Sequence, residues 1–458
     1  MNYDGAMRLL PRAAVMLVAA LWMSAATFAR QGPPVQSDID ALYPDLSALY
    51  EDLHRNPELG FQETRTSGVL AARLKALGFD VTTGVGKTGI VAILRNGAGP
   101  TAMLRTELDA LPVEEKTGVP FASRTMAKTA TGQTVPVMHA CGHDLHMTAW
   151  MGTAAWMASH RQAWKGTLML VGQPAEESVS GAAAMLKDGL FTKFPKPDYA
   201  IGLHDDDTLP AGTIGYHPGF FRASMMAPII TIHGRGGHGA VPQNTVDPVV
   251  IAARTVMSLQ TIVARETNPQ EPLVVTIGSI HGGTQGNIIP DQVRMELSVR
   301  TFSEDVRKRT MAAIERIAKA EAAAAGAPRE PTIEFANAGV GPVFNDPTLT
   351  ARLASALRAA MGADRVVEMP AKMTSEDFSE FGRAGVPAVL LHIGAINAAR
   401  LAESKRTGVP VPAPHSPEWL PELEPTLKGA VLAEVAALLD LLGDAGDRMT
   451  PPAIPSKR

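Results

Sequence analysis

The sequence predicts an α/β protein with a smaller α+β unit inserted into it. Two patterns carry that prediction. Short apolar runs of strand length alternate with amphipathic helical runs through most of the chain. Between Met226 and Asn337 the order becomes strand-helix-strand-strand-helix-strand, the ferredoxin-like arrangement of a compact two-layer unit. A chain of 458 residues is long enough for two or three domains.

Taken in order, the chain opens with Arg8 and Arg12, the apolar run Ala13 to Met23, and small residues through Ala29. That is the layout of a secretory signal peptide, with cleavage after Ala26 or Ala29. Residues 1–29 are therefore set aside from the fold, and a periplasmic or secreted protein is expected. The apolar core is short for a membrane span, so no stable span should remain after cleavage; an uncleaved anchor is the rival reading. Helices are expected over Ser37–Glu58, with apolar positions at Ile39, Leu42, Leu46, Leu49 and Leu53, and over Thr66–Leu77, closed by Gly78. Strands follow at Val81–Thr83, Gly89–Leu94 and Thr101–Arg105. Ala122–Pro136 is polar and expected to be a loop. Met147–His160 is expected to be a helix. The apolar runs Thr167–Val171 and Tyr199–Leu203 then continue the alternation to about His217.

The inserted unit comprises strands Ala227–His233, Leu273–Ile280, Asp291–Thr301 and Thr332–Ala336, with helices Asp247–Glu266 and Ser303–Ala325. The chain returns to helix at Asp346–Met361, strand at Val386–Ile393 and helix at Glu424–Leu442. The division is thus 36–222 and 338–443 for the main domain, 223–337 for the insertion, and a Pro-rich, charged and disordered tail at 444–458.

Composition excludes some functions. With 42 basic and 46 acidic residues the formal net charge is −4, and no basic stripe with interleaved aromatics occurs. No nucleic-acid partner is expected.

The chemistry centres on Met138–His146, which holds the only cysteine of the chain and three of its 12 histidines. Cys141 and His143, two apart beside Gly142, suit a turn whose side chains converge at the start of a helix. A thiolate and a neutral imidazole are both ligands for zinc and similar ions. A lone cysteine in an exported chain forms no internal disulfide, so ligation gives it a use; an inert buried cysteine is the alternative. Further donors end other strands: Glu176 and Glu177 after Gly172-Gln173-Pro174, and His204 after Gly202-Leu203. His415 lies between Pro414 and Ser416. Cys141, His143, Glu177, His204 and His415 exceed one tetrahedral shell and suggest two metals, which share a water when about 3.5–4 Å apart. Irregular backbone at Pro174 would let adjacent carboxylates share the task, one as ligand and one as general base. Gly234, Gly236 and Gly239 match G-x-G-x-x-G. Pro242 interrupts the helix such a motif needs, and Leu259 stands where a ribose-binding acid is required. A turn presenting His238 is the better reading.

These blocks resemble the M20 family of metallopeptidases. The nearest likeness is its amidohydrolase branch of hippurate hydrolases, N-acyl-amino-acid amidohydrolases and auxin-conjugate hydrolases. The resemblance runs from about Asp38 to Leu442. It rests on His54–Glu63, Leu104–Pro112, Met138–His146, Gln173–Glu177, Gly202–His204, Gly236–Pro248, Gly286–Pro290 and Met373–Phe378, in that order. It implies a zinc-peptidase-like domain with a mixed sheet flanked by helices, and a lid that dimerises. It implies Cys141, His143, Glu177, His204 and His415 as ligands of two divalent ions, zinc or manganese before cobalt or nickel. Glu176 matches the general base and Asp109 the residue that orients a metal-bound histidine. His238 and Asn287, on the lid, match residues that reach the substrate carboxylate or oxyanion, often across a homodimer interface. Glu107 departs from the branch's usual aspartate, Gln243 from a common histidine, and Asp205-Asp206-Asp207 is unusually acidic. The expected activity is hydrolysis of N-acyl or N-aroyl amino acids. The alternatives are a dipeptidase or aminoacylase-like carboxypeptidase, a cysteine hydrolase, and a non-catalytic metal or amino-acid binding protein.

Overall fold

The computed structural model describes residues 35–335 and 339–443. The signal peptide and the tail expected from the sequence, and the 337/338 boundary of the insertion, lie outside the described residues.

The main sheet has eight strands. Their spatial order is Asp80–Val85, Gly89–Asn96, Gly166–Gln173, Thr101–Glu107, Tyr199–Pro210, Ala388–Ile396, Ile214–Tyr216 and Val366–Glu368. The four central strands, Gly166–Gln173 to Ala388–Ile396, are parallel, and antiparallel pairings flank them on both sides. Central strands covered on both faces must be apolar throughout, and Gly166–Gln173 and Ala388–Ile396 are buried almost end to end. One face carries the helices Val35–Arg55, His143–Ser159, Pro347–Met361 and Leu423–Leu442, which share one core with the sheet. The other carries Gly181–Lys187 and Ser379–Arg383 over a second core containing Met185, Phe378 and Phe381. His143–Ser159 is buried nearly all round, which explains its lack of a polar face.

The inserted unit builds its own antiparallel sheet, with Leu273–His281 and Ser224–Met226 both on Gln292–Thr301, then Pro228–His233 and Thr332–Phe335. Helices Pro248–Thr261 and Glu304–Ala324 close a separate core around Ile230, Met295 and Ile314. Both begin where the sequence signals a start. Asp247 accepts from Val249 N–H ahead of Pro248, and Ser303 accepts from Val306 N–H.

Several expectations are corrected. The polar stretch Ala122–Pro136 is not wholly a loop. It holds the short hairpin Met126–Lys128 and Thr134–Pro136, closed by Thr129 and Gln133 backbone bonds. Strand Tyr199–Leu203 extends to Pro210, because Asp205 and Asp206 have buried polar partners. Helix Ala398–Thr407 carries little apolar signal and was not visible in the pattern. The glycines of the G-x-G-x-x-G match serve close backbone packing: a Cβ on Gly236 would sit 2.6 Å from Ile289 O.

Candidate metal centre

The site lies at the C-terminal ends of the central parallel strands, where open α/β sheets gather functional groups. Cys141 precedes the helix His143–Ser159 by a turn at Gly142, whose φ is 72°. Only glycine fits there, since a Cβ would lie 1.9 Å from Asp205 Oδ2. Glu176 and Glu177 follow strand Gly166–Gln173 in a turn where Ala175 has φ 49°. Buried carboxylates hold that turn open. Ala175 N–H donates to Glu63 (2.8 Å), and Glu176 and Glu177 N–H both donate to Asp109 (3.0 Å each). Three successive backbone donors are thus fixed, and both glutamate side chains project to the same side. His415 reaches the site from a loop with φ 72°, and its N–H donates to Ala140 O at 2.6 Å.

The five expected donors converge. Cys141 Sγ is 3.5 Å from His204 Nε2, and His415 Nε2 is 3.4 Å from Glu177 Oε2. His143 Nε2 is 3.9 Å from both Glu176 Oε2 and Glu177 Oε1. Three donor groups each lie within 4.8 Å: Cys141 with His143 and His204, Cys141 with Glu177 and His415, and His143 with Glu176 and Glu177.

The hydrogen bonds fix which histidine nitrogens are free. His143 Nδ1–H donates to Asp109 O (2.7 Å) and His204 Nδ1–H to Asp205 O (2.8 Å). His204 Nε2 therefore turns a lone pair into the cavity, and His143 Nε2 would do so once a metal displaces its proton. His143 Nε2 and Glu177 Oε1 are buried with no hydrogen-bond partner. Unfilled lone pairs of this kind, beside a thiol, fit a borderline-soft divalent ion. His146, left open by its spacing one turn past His143, is engaged at both nitrogens. Nδ1–H donates to Glu107 (3.0 Å), and Nε2 accepts from Asp205 N–H (2.8 Å). Asp109 orients His143 most closely through its carbonyl, while its carboxylate holds the glutamate turn.

The electrostatics agree with the donor chemistry. Burial and the charges of Glu177 and Asp205 push the Cys141 thiol well above its usual range. A cysteine nucleophile needs the opposite environment. Burial raises Glu177 to about 7, and burial with Glu376 and Glu177 raises Glu176 well above the carboxylate range. Burial opposes charge on His143, but the Asp109 bond and the Glu107 charge outweigh it, to about 10. The site is crowded with negative charge that cations would neutralise.

Residues 103–406 match Peptidase family M20/M25/M40. The chain belongs to this family. It is 34% identical to the N-acetyl-L-cysteine deacetylase of Bacillus subtilis (strain 168), over 78% of this chain and 81% of that protein. It is 39% identical to the hippurate hydrolase of Campylobacter jejuni subsp. jejuni, over 61% of this chain and 70% of that one. Among solved structures it is similar to the Bacillus subtilis YXEP protein, a dinuclear metal binding peptidase from the M20 family. The TM-score is 0.69 at 29% identity, covering 88% of this chain and 100% of that chain. The M20 chain is accordingly a metal-dependent hydrolase of the amidohydrolase branch.

Two expected site residues stand apart in this M20 fold. His238 and Asn287 meet each other, since Gly239 N–H bonds Asn287 O (2.8 Å) and His238 pairs with Ile288. Both are exposed at the tip of the inserted unit. Neither lines the 460 Å³ cavity over the metal donors. Residues that sequence reasoning missed include Glu63, whose role shows only in its contact with Ala175, and Arg222, His392 and Lys372 beside the cavity.

Proposed function

We propose that the protein is an exported amidohydrolase that cleaves the amide of N-acyl or N-aroyl amino acids. One observation carries the chemistry. Glu176 and Glu177 share a pinned turn and both approach His143 Nε2, while only Glu177 also approaches His415. Cys141, His143, Glu177, His204 and His415 would hold two divalent ions, with zinc or manganese suited to this thiol, imidazole and carboxylate set. When bound, such a pair supplies Lewis acidity that acidifies a water and polarises the amide carbonyl. Glu176 accepts the proton of the attacking water and delivers it to the leaving nitrogen. Asp109 keeps the turn and His143 aligned.

His238 and Asn287 act in this reading on the cavity of a second copy, contacting the substrate carboxylate or the developing oxyanion. Support for a homodimer comes from the inserted unit. Val249, Val250 and Met257 expose one apolar face of helix Pro248–Thr261, and Ile280 and Ile288 are half exposed nearby. The basic and apolar pattern before Ala29 supports export to the periplasm or beyond.

The test is turnover of hippurate, N-acetyl amino acids, indoleacetyl amino acids and dipeptides by signal-free protein, before and after chelation and metal return. Cleavage lost with chelator and restored by metal is the expected outcome. Preference for dipeptides over every N-acyl amino acid would move the reading to the dipeptidase alternative.

A further inference from the structure

The cavity wall opposite the metal donors carries a cation without a counterion. Arg222 is 7% exposed and lines the cavity, yet it forms no ion pair with a carboxylate among the described residues. Its Nε and Nη2 donate only to His392 Nε2, at 3.2 and 3.0 Å. His392 Nδ1–H then donates to Asp206 (2.6 Å), and Asp206 pairs with Lys372. Accepting from Arg222 at Nε2 and donating from Nδ1, His392 passes the contact on without adding a charge of its own. Asp206 and Lys372 pair with each other, so the relay ends at Arg222 with no carboxylate in contact with it. A buried charge left in this state is costly, and natural sites keep it where a ligand completes the pair.

The relay also fixes the guanidinium. Lys372 and Arg222 lie side by side on adjoining backbone, with Lys372 N–H bonded to Phe221 O at 2.8 Å. Arg300, half buried on the same cavity, donates to Ser298 Oγ (3.4 Å), Met373 O and Ser375 Oγ (3.2 Å each) and likewise forms no ion pair among the described residues. Asp207 on this wall works against an anion, and Lys372, already paired with Asp206, offsets it only in part. Once the acidic and thiol donors are committed to metal, Arg222 and Arg300 are the cavity cations with no carboxylate paired to them among the described residues.

We propose that this enzyme favours amide substrates with a carboxylate additional to the α-carboxylate, and that Arg222, held by the His392–Asp206–Lys372 relay, receives it. This rests on the amidohydrolase reading for the identity of the scissile bond, though not for the anion site itself. The additional carboxylate could stand on the amino-acid side chain or on the acyl group, and the two are separated by matched substrates.

The metal-loaded protein is assayed with N-acetyl-L-glutamate against N-acetyl-L-glutamine, and with N-succinyl-L-alanine against N-butyryl-L-alanine. The acid of one pair is expected to lead its neutral twin in kcat/KM by about tenfold or more, the worth of a charge-assisted hydrogen bond in a closed site. Arg222→Met is expected to remove most of that ratio, and Arg222→Lys, which keeps the charge, to retain part of it and to guard against misfolding. No preference in either pair, or a preference that survives Arg222→Met, overturns the proposal. Glutarate binding to the metal-loaded protein, followed by calorimetry, separates this inference from the hydrolysis reading. Saturable binding lost in Arg222→Met upholds the anion site even without turnover. Equal binding by both proteins, or none, overturns it.

Discussion

Two buried polar clusters lie close together beneath the cavity, and they are built on opposite rules. In one, every nitrogen of Arg105 is bonded. Nε donates to Gln173 (2.9 Å), Nη1 to Glu107, and Nη2 to Glu376 (2.8 Å) and Asp377 (3.1 Å). In the other, Cys141, His143, Glu177, His204 and His415 turn their donor atoms toward one another, and His143 Nε2 and Glu177 Oε1 find no hydrogen-bond partner. The first cluster is nearly complete as folded, Glu376 Oε2 being its one buried atom without a hydrogen bond, and it serves the architecture. It ties strand Thr101–Glu107 to the Glu376-Asp377 turn, and Asp377 also accepts from Ala182 at the start of helix Gly181–Lys187. The second is complete only with cations. Burial and acidity are common to both, so neither property marks the functional cluster. Converging open donors of mixed type do: the Arg105 cluster leaves only Glu376 Oε2 open, whereas the other leaves a histidine nitrogen and a carboxylate oxygen open beside a thiol.

The contrast can be broken at its strongest point first. Glu176→Gln keeps the shape of the turn and all five donors but removes the base. Turnover should fall by about 10²–10⁴-fold while metal content is kept, checked by kinetics alongside elemental analysis. Retained turnover would remove Glu176 from the mechanism.

The complementary change is Arg105→Met, which strips the cation from three fully buried partners. Leaving buried carboxylates uncompensated costs about 3–5 kcal/mol, read as a lowered denaturant midpoint. A midpoint like that of the unaltered protein would mean the Arg105 cluster is not structural.

A third outcome follows from proton competition. Cys141, His143 and Glu177 all hold protons more tightly than ordinary groups, His143 to about 10 and Glu177 to about 7. Metal must displace those protons, so affinity should rise steadily from pH 5 to pH 8, by about tenfold or more. Affinity independent of pH would exclude these residues as ligands.

A further effect lies away from both clusters. Glu434 is buried on helix Leu423–Leu442, bonded to Thr153 (2.6 Å), and burial raises it to about 8. The native state then keeps a proton that the unfolded chain releases above the usual carboxyl pKa. The associated stability is present below about pH 4.5 and is lost as pH climbs toward 8. Glu434→Gln should flatten that decline, with about 1.4 kcal/mol at stake for each unit of raised pKa. Thermal melts at pH 5 and pH 9 read it.

Much of this was legible in the residues. The 3.6-residue spacing of Ile39, Leu42, Leu46, Leu49 and Leu53 located the first helix, found at Val35–Arg55. The βαββαβ order of the insertion followed from alternating apolar runs and two marked helix starts. The convergence of Cys141, His143, Glu177, His204 and His415 was expected from donor type and motif order. What remained hidden depends on contacts between distant segments. Nothing near Glu63 announces that it holds Ala175 at a positive φ. The run Asp205-Asp206-Asp207 reads as a solvated acidic turn, yet Asp205 and Asp206 are buried against His146, His392 and Lys372. Strands Ile214–Tyr216 and Val366–Glu368 are three residues each, too short for any period to show. His238 and Asn287 were legible as residues with chemistry, but their exposed place at the tip of the insertion was not.

The most direct test is an anomalous-difference map from crystals of the metal-loaded protein. The account predicts two peaks per chain, shared among Cys141, His143, Glu177, His204 and His415, with Glu176 beside them. A rival donor group exists among the buried side chains, Glu107 with His143 and His146. Density there, or a single peak that leaves Cys141 and His415 without metal, would contradict the account.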